Sequence, residues 1–152
     1  MKISAGLLVY RRGDERLEVL LTHPGGPFWA GKDTWSIPKG EVESGETKQD
    51  AMKREFCEET GFEVPVGELL NLGQAKQGKD KINYIWAVAG DTDLSRFKCR
   101  STFTLEWPPK SNKLLEFPEN DRAAWFSIEM AKEKLFKYQI VFVDRLTDTI
   151  VT

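Results

Sequence analysis

Three glutamates with the chemistry of metal ligands lie close together near the middle of the chain: Glu55, Glu58 and Glu59. On a helix that turns 100° per residue, Glu59 falls almost in line with Met52, and Glu55 lies beside it. The three carboxylates therefore share a sector that overlaps the edge of the apolar stripe of Met52 and Phe56. Two carboxylates about 6 Å apart repel each other by roughly 2–3 kcal/mol at an effective dielectric constant of 20.

A divalent cation would relieve this repulsion at neutral pH, and ligands that are all oxygen favour Mg²⁺ or Mn²⁺ over zinc. The alternative is a solvated acidic helix face, which is the usual reading of a run of charges. Two neighbouring features favour the ion site. A glycine-containing segment, "IPKGEVESGE", directly precedes the helix, and Arg54 could hold one of the carboxylates in place.

The element that must position these glutamates is predicted as a helix over residues 44–60. Ser44 is a plausible N-cap, and Glu46 in the first turn would suit the positive end of the helix dipole. Gly61 stands where a glycine commonly ends a helix. We therefore expect one capped helix that begins at Ser44 and carries all three glutamates.

The remaining elements are predicted from apolar periodicity and from turn residues. The sequence predicts a hairpin of two strands across the break "GDE", a Gly- and Pro-rich loop, several further strands and a helical C-terminal region. The predicted strands are 4–12, 17–23, 34–38, 62–77, 81–91, 101–107 and 123–127, the loop is 23–33, and the helical region is 128–149. A mixed sheet with helices on its faces is the α+β arrangement that accommodates this pattern.

Composition limits the classes of function that the chain can have. The sequence has 152 residues, of which 40% are hydrophobic and 30% charged, and we expect one domain over residues 1–152. A formal net charge of −2 makes nucleic acid an unlikely bulk partner. No apolar run is long enough to predict a membrane segment, and the two cysteines do not make a disulfide framework. We expect a cytoplasmic protein with free thiols.

The spacing around the acidic cluster resembles the signature of the Nudix hydrolases. That signature is a glycine, a glutamate after five residues, and R-E-U-x-E-E-x-G-U after seven more, where U is a bulky aliphatic residue. Phe56 and Phe62 stand at U positions, where the aliphatic residue is more usual. The fixed positions are filled by Gly40, Glu46, Arg54, Glu55, Glu58, Glu59 and Gly61.

The resemblance implies a fold, a reaction and a metal site. The fold is the Nudix α/β/α sandwich, and the reaction is Mg²⁺-dependent hydrolysis of a pyrophosphate bond in a nucleoside diphosphate linked to another moiety. The implied metal ligands are Glu55, Glu58 and Glu59, with the backbone at Lys39 and Gly40 completing the site. Mn²⁺ is a possible substitute for Mg²⁺.

The same resemblance implies roles for individual residues. Glu58 and Glu59 are expected to be catalytic, and Arg54 is expected to orient a carboxylate. Glu119 in "ENDRAAW" is the candidate for a later glutamate that activates water. Glu46 is expected to tie the loop to the helix instead of binding metal.

Substrate contacts are predicted for Lys39 and for two aromatic residues, Phe28 and Trp29. The aromatics lie in a polar loop and could stack on a nucleobase. His23 is the only histidine of the chain and begins this loop, and a lone histidine is more often structural than catalytic.

The substrate is left open by the sequence. "PKGE" resembles the dinucleoside polyphosphate and diphosphoinositol branches of the family, whereas "STFTLEWPPKS" followed by "EFPENDRAAWF" resembles a MutT-like bacterial subgroup of predicted nucleoside triphosphate pyrophosphohydrolases. The alternative is a catalytically silent Nudix-fold module that binds a nucleotide and regulates another process. Family members that have lost activity usually lack some carboxylates of the signature, and this chain keeps all of them. A monomer or a homodimer is expected.

Overall fold

The computed structural model of the protein describes residues 1–13 and 16–150. Its strands are β1 (Lys2–Arg12), β2 (Leu17–Pro24), β3 (Lys39–Glu41), β4 (Leu70–Gln77), β5 (Lys81–Ala89), β6 (Thr102–Glu106), β7 (Leu114–Pro118) and β8 (Asn120–Ser127). Its α-helices are α1 (Lys48–Thr60), α2 (Ile128–Lys134) and α3 (Ile140–Ile150), and short 3-10 helices cover Leu94–Arg96 and Lys137–Gln139.

A mixed sheet forms the centre of the fold, with the strand order β4-β5-β1-β2-β8 and with β3 paired to β1. Strand β1 runs parallel to β5 and antiparallel to β2 and β3. Alternate residues of β1 point to opposite faces of the sheet. Leu8 belongs to the apolar cluster shared with α2 and α3, and Leu7 belongs to the cluster shared with α1. The predicted α+β fold, a sandwich with helices on both faces, is confirmed.

The predicted start of the helix at Ser44 is wrong. Helix α1 begins at Lys48, and the Oγ1 atom of Thr47 accepts a hydrogen bond of 3.1 Å from the backbone N–H of Asp50. Gly45 has a φ angle of +82°, which is a left-handed conformation that cannot continue a right-handed helix. The predicted end is confirmed, since Gly61 caps the helix with its N–H bonded to the carbonyl of Cys57.

The strand predictions are confirmed for the first hairpin, for β4 and β5 and for β6, although β4 begins only at Leu70. Residues Asp14 and Glu15 of the predicted turn lie outside the described residues. The predicted strand 34–38 is wrong, because Trp35 and Ser36 form only isolated bridges. The backbone N–H of Ile37 is instead bound by the side chain of Gln139 at 2.7 Å. Strands β3 and β7 were not predicted.

A two-stranded ribbon of β6 and β7 stands apart from the main sheet. At its base, the N–H of Glu119 donates to the carbonyl of Ser101 at 2.9 Å, and the carbonyl of Glu119 accepts from Gly25 at 2.9 Å. These bonds position Glu119 and Asn120 at the start of β8, facing α1. No helix in the described part of the chain is long and apolar enough to cross a membrane.

Candidate functional site

Glu59 is the most buried acidic residue of α1, with 5% of its surface exposed. Its Oε1 atom accepts a hydrogen bond of 2.7 Å from the Nδ2 atom of Asn120. Within the described residues its Oε2 atom is buried and has no hydrogen-bond partner. Burial raises the pKa of Glu59 to about 8, and the charges of Glu55 and Glu119 act in the same direction.

Glu55 lies against the backbone of β3. A Cβ atom added to Gly40 would lie 2.0 Å from the Oε2 atom of Glu55, so that only glycine lets the strand approach the carboxylate this closely. Burial raises the pKa of Glu55, while hydrogen bonding to Arg54 opposes the shift. The helix and the loop before it therefore meet at this carboxylate, as the sequence predicts for Gly40.

Arg54 connects the carboxylates to the loop. Its Nη1 atom donates to Glu55 at 2.7 Å and to Glu58 at 3.2 Å, and its Nε atom donates to Glu46 at 2.8 Å. Its Nη2 atom also donates to the carbonyl of Glu41 at 3.0 Å. The hydrogen bond from Arg54 lowers the pKa of Glu46 to about 2. Glu46 thus ties the loop to the helix, and Arg54 holds Glu55 and Glu58 in fixed orientations.

Glu58 and Glu119 occupy the solvent side of this cluster. The side chain of Glu58 is 43% exposed, and Glu119 is exposed at the base of the ribbon. Partial desolvation raises the pKa of Glu119, with a further contribution from the charge of Glu58, whereas Lys81 opposes the rise. The structure therefore brings Glu119 to the carboxylates of α1, where the sequence analysis places it.

Asn120 is the site residue that the sequence analysis missed. It is 4% exposed and makes the hydrogen bond that orients Glu59. The sequence gives only a weak indication of this role, because Asn120 is simply a polar residue next to a candidate catalytic glutamate. The bond joins residues 61 positions apart, which no local pattern predicts.

In residues 1–13 and 16–150, no three His, Cys, Asp or Glu side chains already converge in an ion-binding arrangement. Two observations nevertheless fit a hard cation. The Oε2 atom of Glu59 is a buried carboxyl oxygen with no hydrogen-bond partner among the described residues, and the Glu55 carboxylate lies in the space that Gly40 leaves beside β3. The potential metal ligands in both places are oxygen atoms, which suit Mg²⁺ or Mn²⁺.

Comparison with known proteins identifies the family. The family model described as the NUDIX domain matches residues 1–146. The chain belongs to the Nudix family. The family predicted from the acidic signature is thereby confirmed. Glu55, Glu58 and Glu59 fill glutamate positions of that signature, and we call them the Nudix-box carboxylates.

Individual relatives agree with this assignment. "Putative nudix hydrolase 1" of Caenorhabditis elegans is 33% identical over 105 residues, which are 69% of this chain and 28% of that protein. This Nudix chain therefore spans little more than a quarter of the length of that relative.

Two solved structures share the fold. A C. elegans Ap4A hydrolase binary complex has a TM-score of 0.64 at 19% identity, over 99% of this chain and 98% of that chain. The MutT protein from Methanosarcina mazei Go1 has a TM-score of 0.65 at 21% identity, over 99% of this chain and 96% of that chain. At this identity the likeness shows the Nudix fold.

The predicted substrate residue Lys39 lies next to the Nudix-box carboxylates. Burial lowers the pKa of Lys39, and the charge of Glu59 opposes that shift. Its Nζ atom lies 3.4 Å from the Oε1 atom of Gln77 and 5.6 Å from the ring centre of Tyr138. The side chain of Lys39 therefore extends to Gln77 and Tyr138, while its chain neighbour Gly40 borders the Glu55 carboxylate.

The two predicted aromatics lie in one loop but differ in exposure. Phe28 is 56% exposed and meets Trp107 edge-on, with ring centres 5.5 Å apart. Trp29 is half-buried and packs edge-on against Phe136 at 5.2 Å. Phe28 has the freer ring face of the two. Both remain candidates for contact with a nucleobase.

His23 is fully buried. Its Nδ1 atom lies 2.9 Å from Asp121, and its Nε2 atom lies 2.6 Å from the carbonyl of Lys32. Since both ring nitrogens have partners, His23 joins the loop to β8 and is not placed to act on a substrate.

Proposed function

We propose that this protein is a Mg²⁺-dependent Nudix pyrophosphohydrolase. Its substrate would be a nucleoside diphosphate linked to another moiety, of the nucleoside triphosphate or dinucleoside polyphosphate type. The observation that carries the proposal is the Glu59 carboxylate: it is buried, one oxygen is bound by Asn120, and the other is unpartnered within the described residues. Ionising a buried carboxyl group is costly unless a ligand binds its unpartnered oxygen.

The residues that would hold the metal are Glu55, Glu58 and Glu59, with the Lys39 carbonyl as a further ligand and Gly40 allowing the close approach. When bound, a divalent ion offsets the negative charge that develops on the phosphoryl oxygens. Hard oxygen ligands make Mg²⁺ the expected ion and Mn²⁺ a substitute.

The protein side chains would divide the remaining work. Glu119 would take a proton from the attacking water, because it lies at the solvent side of the carboxylates that would hold the metal and its raised pKa makes it a stronger base. The water oxygen forms a new bond to phosphorus while the bridging P–O bond breaks, and the bridging oxygen leaves with the electron pair. Arg54 would keep Glu55 and Glu58 in position throughout, since its guanidinium group contacts both.

The two aromatics and Lys39 support a nucleotide substrate. Phe28 offers an exposed ring for stacking on a base. Lys39 offers a cation next to the carboxylates that would hold the metal. The likeness to a fold neighbour named as an Ap4A hydrolase is compatible with the dinucleoside polyphosphate type.

Hydrolysis of a substrate panel, with Mg²⁺ and with a chelator, tests this function. The panel would contain nucleoside triphosphates, dinucleoside polyphosphates and ADP-ribose, and released phosphate or pyrophosphate would be measured. We expect turnover only with the metal, a loss of at least about 100-fold in Glu58→Gln and Glu59→Gln, and a smaller loss in Glu119→Gln. Glu63→Gln, at an exposed position beyond the helix, is the matched control.

Equal rates for the three site variants would refute the assignment of roles. A wild-type protein that hydrolyses nothing in the panel, but binds a nucleotide, would instead favour the catalytically silent regulatory module. The intact Nudix-box carboxylates argue for the enzyme.

Cys57 and Cys99 are free thiols, which supports a reducing compartment such as the cytoplasm. The protein would act on a small molecule as a monomer or a homodimer.

A further inference from the structure

His23, the only histidine of the chain, is buried with a partner at each of its two ring nitrogens. Its Nδ1 atom lies 2.9 Å from the Oδ1 atom of Asp121 on β8, and its Nε2 atom lies 2.6 Å from the carbonyl oxygen of Lys32. The histidine is 0% exposed, so solvent does not compete for either nitrogen. Lys32 belongs to residues 25–33, which follow β2 and which we call the aromatic loop.

Both partners of the imidazole are hydrogen-bond acceptors. The Lys32 carbonyl has no hydrogen to donate, and an ionised carboxylate such as that of Asp121, whose side chain is 32% exposed, only accepts. A neutral imidazole has a single N–H group, so its other nitrogen would direct a lone pair at an oxygen lone pair. The imidazolium form has two N–H groups and can donate to both oxygens. The geometry therefore fits the protonated form of His23.

A buried cation is stable only when a counter-charge lies close to it. Asp121 contacts the imidazole directly. The neighbouring carboxylate of Asp33 instead accepts a hydrogen bond of 2.8 Å from the Nε1 atom of Trp35 and forms an ion pair with Lys134 of α2. The protonated form of His23 therefore depends on Asp121.

The cations on the surrounding elements contact other groups. The guanidinium group of Arg122 on β8 lies over the ring of Trp35 at 5.2 Å, and this ring meets the imidazole edge-on with ring centres 5.2 Å apart. The ammonium group of Lys32 lies over the Trp29 ring at 5.0 Å. Asp121 is in hydrogen-bond contact with the imidazole, and the energy between two charges is largest at the shortest distance.

The hydrogen bond from His23 to Lys32 fixes the end of a tight turn in the aromatic loop. The N–H of Lys32 donates to the carbonyl of Trp29 at 2.9 Å, so that the same residue is bound through both its N–H and its carbonyl. The N–H groups of Trp29 and Ala30 in turn donate to the carbonyl of Gly26 at 3.3 and 3.1 Å. His23 therefore connects the turn that carries Trp29 to β2 and, through Asp121, to β8.

We propose that His23 is a positioning residue, which is held as a buried imidazolium and fixes the aromatic loop only in that form. Loss of one proton to solvent would leave a single N–H group. A carboxylate is a stronger acceptor than a carbonyl, so this N–H would remain on Asp121 and the Lys32 carbonyl would lose its donor. The turn that carries Trp29 would then loosen. The effect of this change on substrate binding rests on the proposed function, whereas the protonation and the order of the loop do not.

NMR of the imidazole nitrogens tests the protonation directly, because the chain has one histidine. In protein labelled with nitrogen-15, long-range proton–nitrogen spectra distinguish a nitrogen that bears hydrogen from one that does not. Between about pH 5 and about pH 8, we expect two N–H groups in the wild type at neutral pH. A neutral imidazole with one bare nitrogen at that pH would overturn the proposal.

Asp121→Asn tests the counter-charge, because asparagine keeps the shape and the acceptor oxygen but removes the charge. We expect His23 to lose its second proton at a clearly lower pH in this variant than in the wild type. Asp91→Asn, which removes the carboxylate of a different ion pair, that with Arg11, is the matched control. The same titration in both variants would contradict the proposed dependence on Asp121.

Amide hydrogen exchange measures the consequence for the loop and requires no catalysis. At a pH where His23 is protonated in Asp91→Asn and neutral in Asp121→Asn, we expect the amides of Trp29, Ala30 and Lys32 to exchange about tenfold faster in the second variant, with α1 unchanged. The wild type, compared above and below the pH at which His23 loses its proton, gives the same test without a substitution. Equal exchange of the loop in the two protonation states would overturn the proposal.

Kinetics connect the loop to the substrate. For hydrolysis of a nucleoside triphosphate with Mg²⁺ at the same pH, we expect KM to be about threefold or more higher in Asp121→Asn than in Asp91→Asn, and kcat to differ by less than about twofold. Equal KM values would show that the loop does not bind the substrate. A protein that hydrolyses nothing would overturn the proposed function, while the NMR and exchange measurements would still decide the role of His23.

Discussion

Glu59 is the residue on which the candidate site depends. A core-facing helix position would ordinarily hold an apolar side chain, yet this position holds a carboxyl group, one oxygen of which has no partner in the part of the chain that the structure describes. Asn120 satisfies the other oxygen and thereby fixes the orientation of the carboxylate. Such an arrangement would cost stability in the metal-free protein, and the cation of the proposed function would remove that cost.

The pH dependence of stability measures that cost. The pKa of Glu59 is raised from 4.5 to about 8 in the folded protein, so the folded state holds this proton more tightly than the unfolded state does. The associated stability is fully present below about pH 4.5 and is lost as pH rises through about 8. Relative to the wild type in a chelator, we expect Glu59→Gln to gain on the order of a few kcal/mol in free energy of unfolding at pH 8.5 and little at pH 4.5.

Denaturant unfolding of both proteins across this pH range provides the measurement. The other ionisable groups are common to both proteins, so the difference isolates Glu59. Parallel pH profiles for the wild type and the variant would contradict the raised pKa.

At the scale of elements, the site is a junction between α1 and β3. Arg54 holds the loop to the helix through Glu46 and the Glu41 carbonyl, and Gly40 lets the strand touch the Glu55 carboxylate. The backbone of β3 and the side chains of α1 would share one cation. The distance between β3 and α1 should therefore affect metal binding more than it affects folding.

Gly40→Ala tests this junction. The added Cβ atom would lie 2.0 Å from the Glu55 carboxylate, which is the end of a flexible side chain and can move away. We expect Mg²⁺ affinity to fall at least about tenfold while the melting temperature changes by only a few degrees. Gly31→Ala is the control, because nothing lies within 4 Å of the added atom there. Equal Mg²⁺ affinity in the two variants would exclude the proposed role of Gly40.

Local sequence patterns predict those helices and strands that depend mainly on interactions between neighbouring residues. The 3.6-residue period of α1 correctly brought Glu59 into line with Met52, and both are buried. The start of the helix was misplaced because Ser44 and Thr47 are both good N-cap residues, and the left-handed Gly45 decides between them. Segment 34–38 does not form a strand, because a distant glutamine binds the Ile37 N–H.

The site residue that was not predictable from the sequence depends on contacts between distant segments. Asn120 reaches Glu59 only because the β6–β7 ribbon and Gly25 position the start of β8. The signature residues could be named from the sequence, whereas their supporting residues required the tertiary structure.

For the whole molecule, the net charge of −2 is unevenly distributed, because several carboxylates lie close together at the site. The Nudix-box carboxylates of α1 would bind cations. A slightly acidic protein can in this way bind a polyanion, since bound metal ions invert the local sign of the charge. The electrostatic attraction for the substrate is then confined to the site.

Calorimetric titration with Mg²⁺ in the presence of a non-hydrolysable nucleotide tests this account most directly. We expect saturable uptake of Mg²⁺ by the wild type, and a loss of at least about tenfold in affinity with Glu59→Gln at the same pH. Mn²⁺ should give the same order of variants. The absence of Mg²⁺ and Mn²⁺ uptake by the folded wild-type protein, with nucleotide bound, would contradict the account.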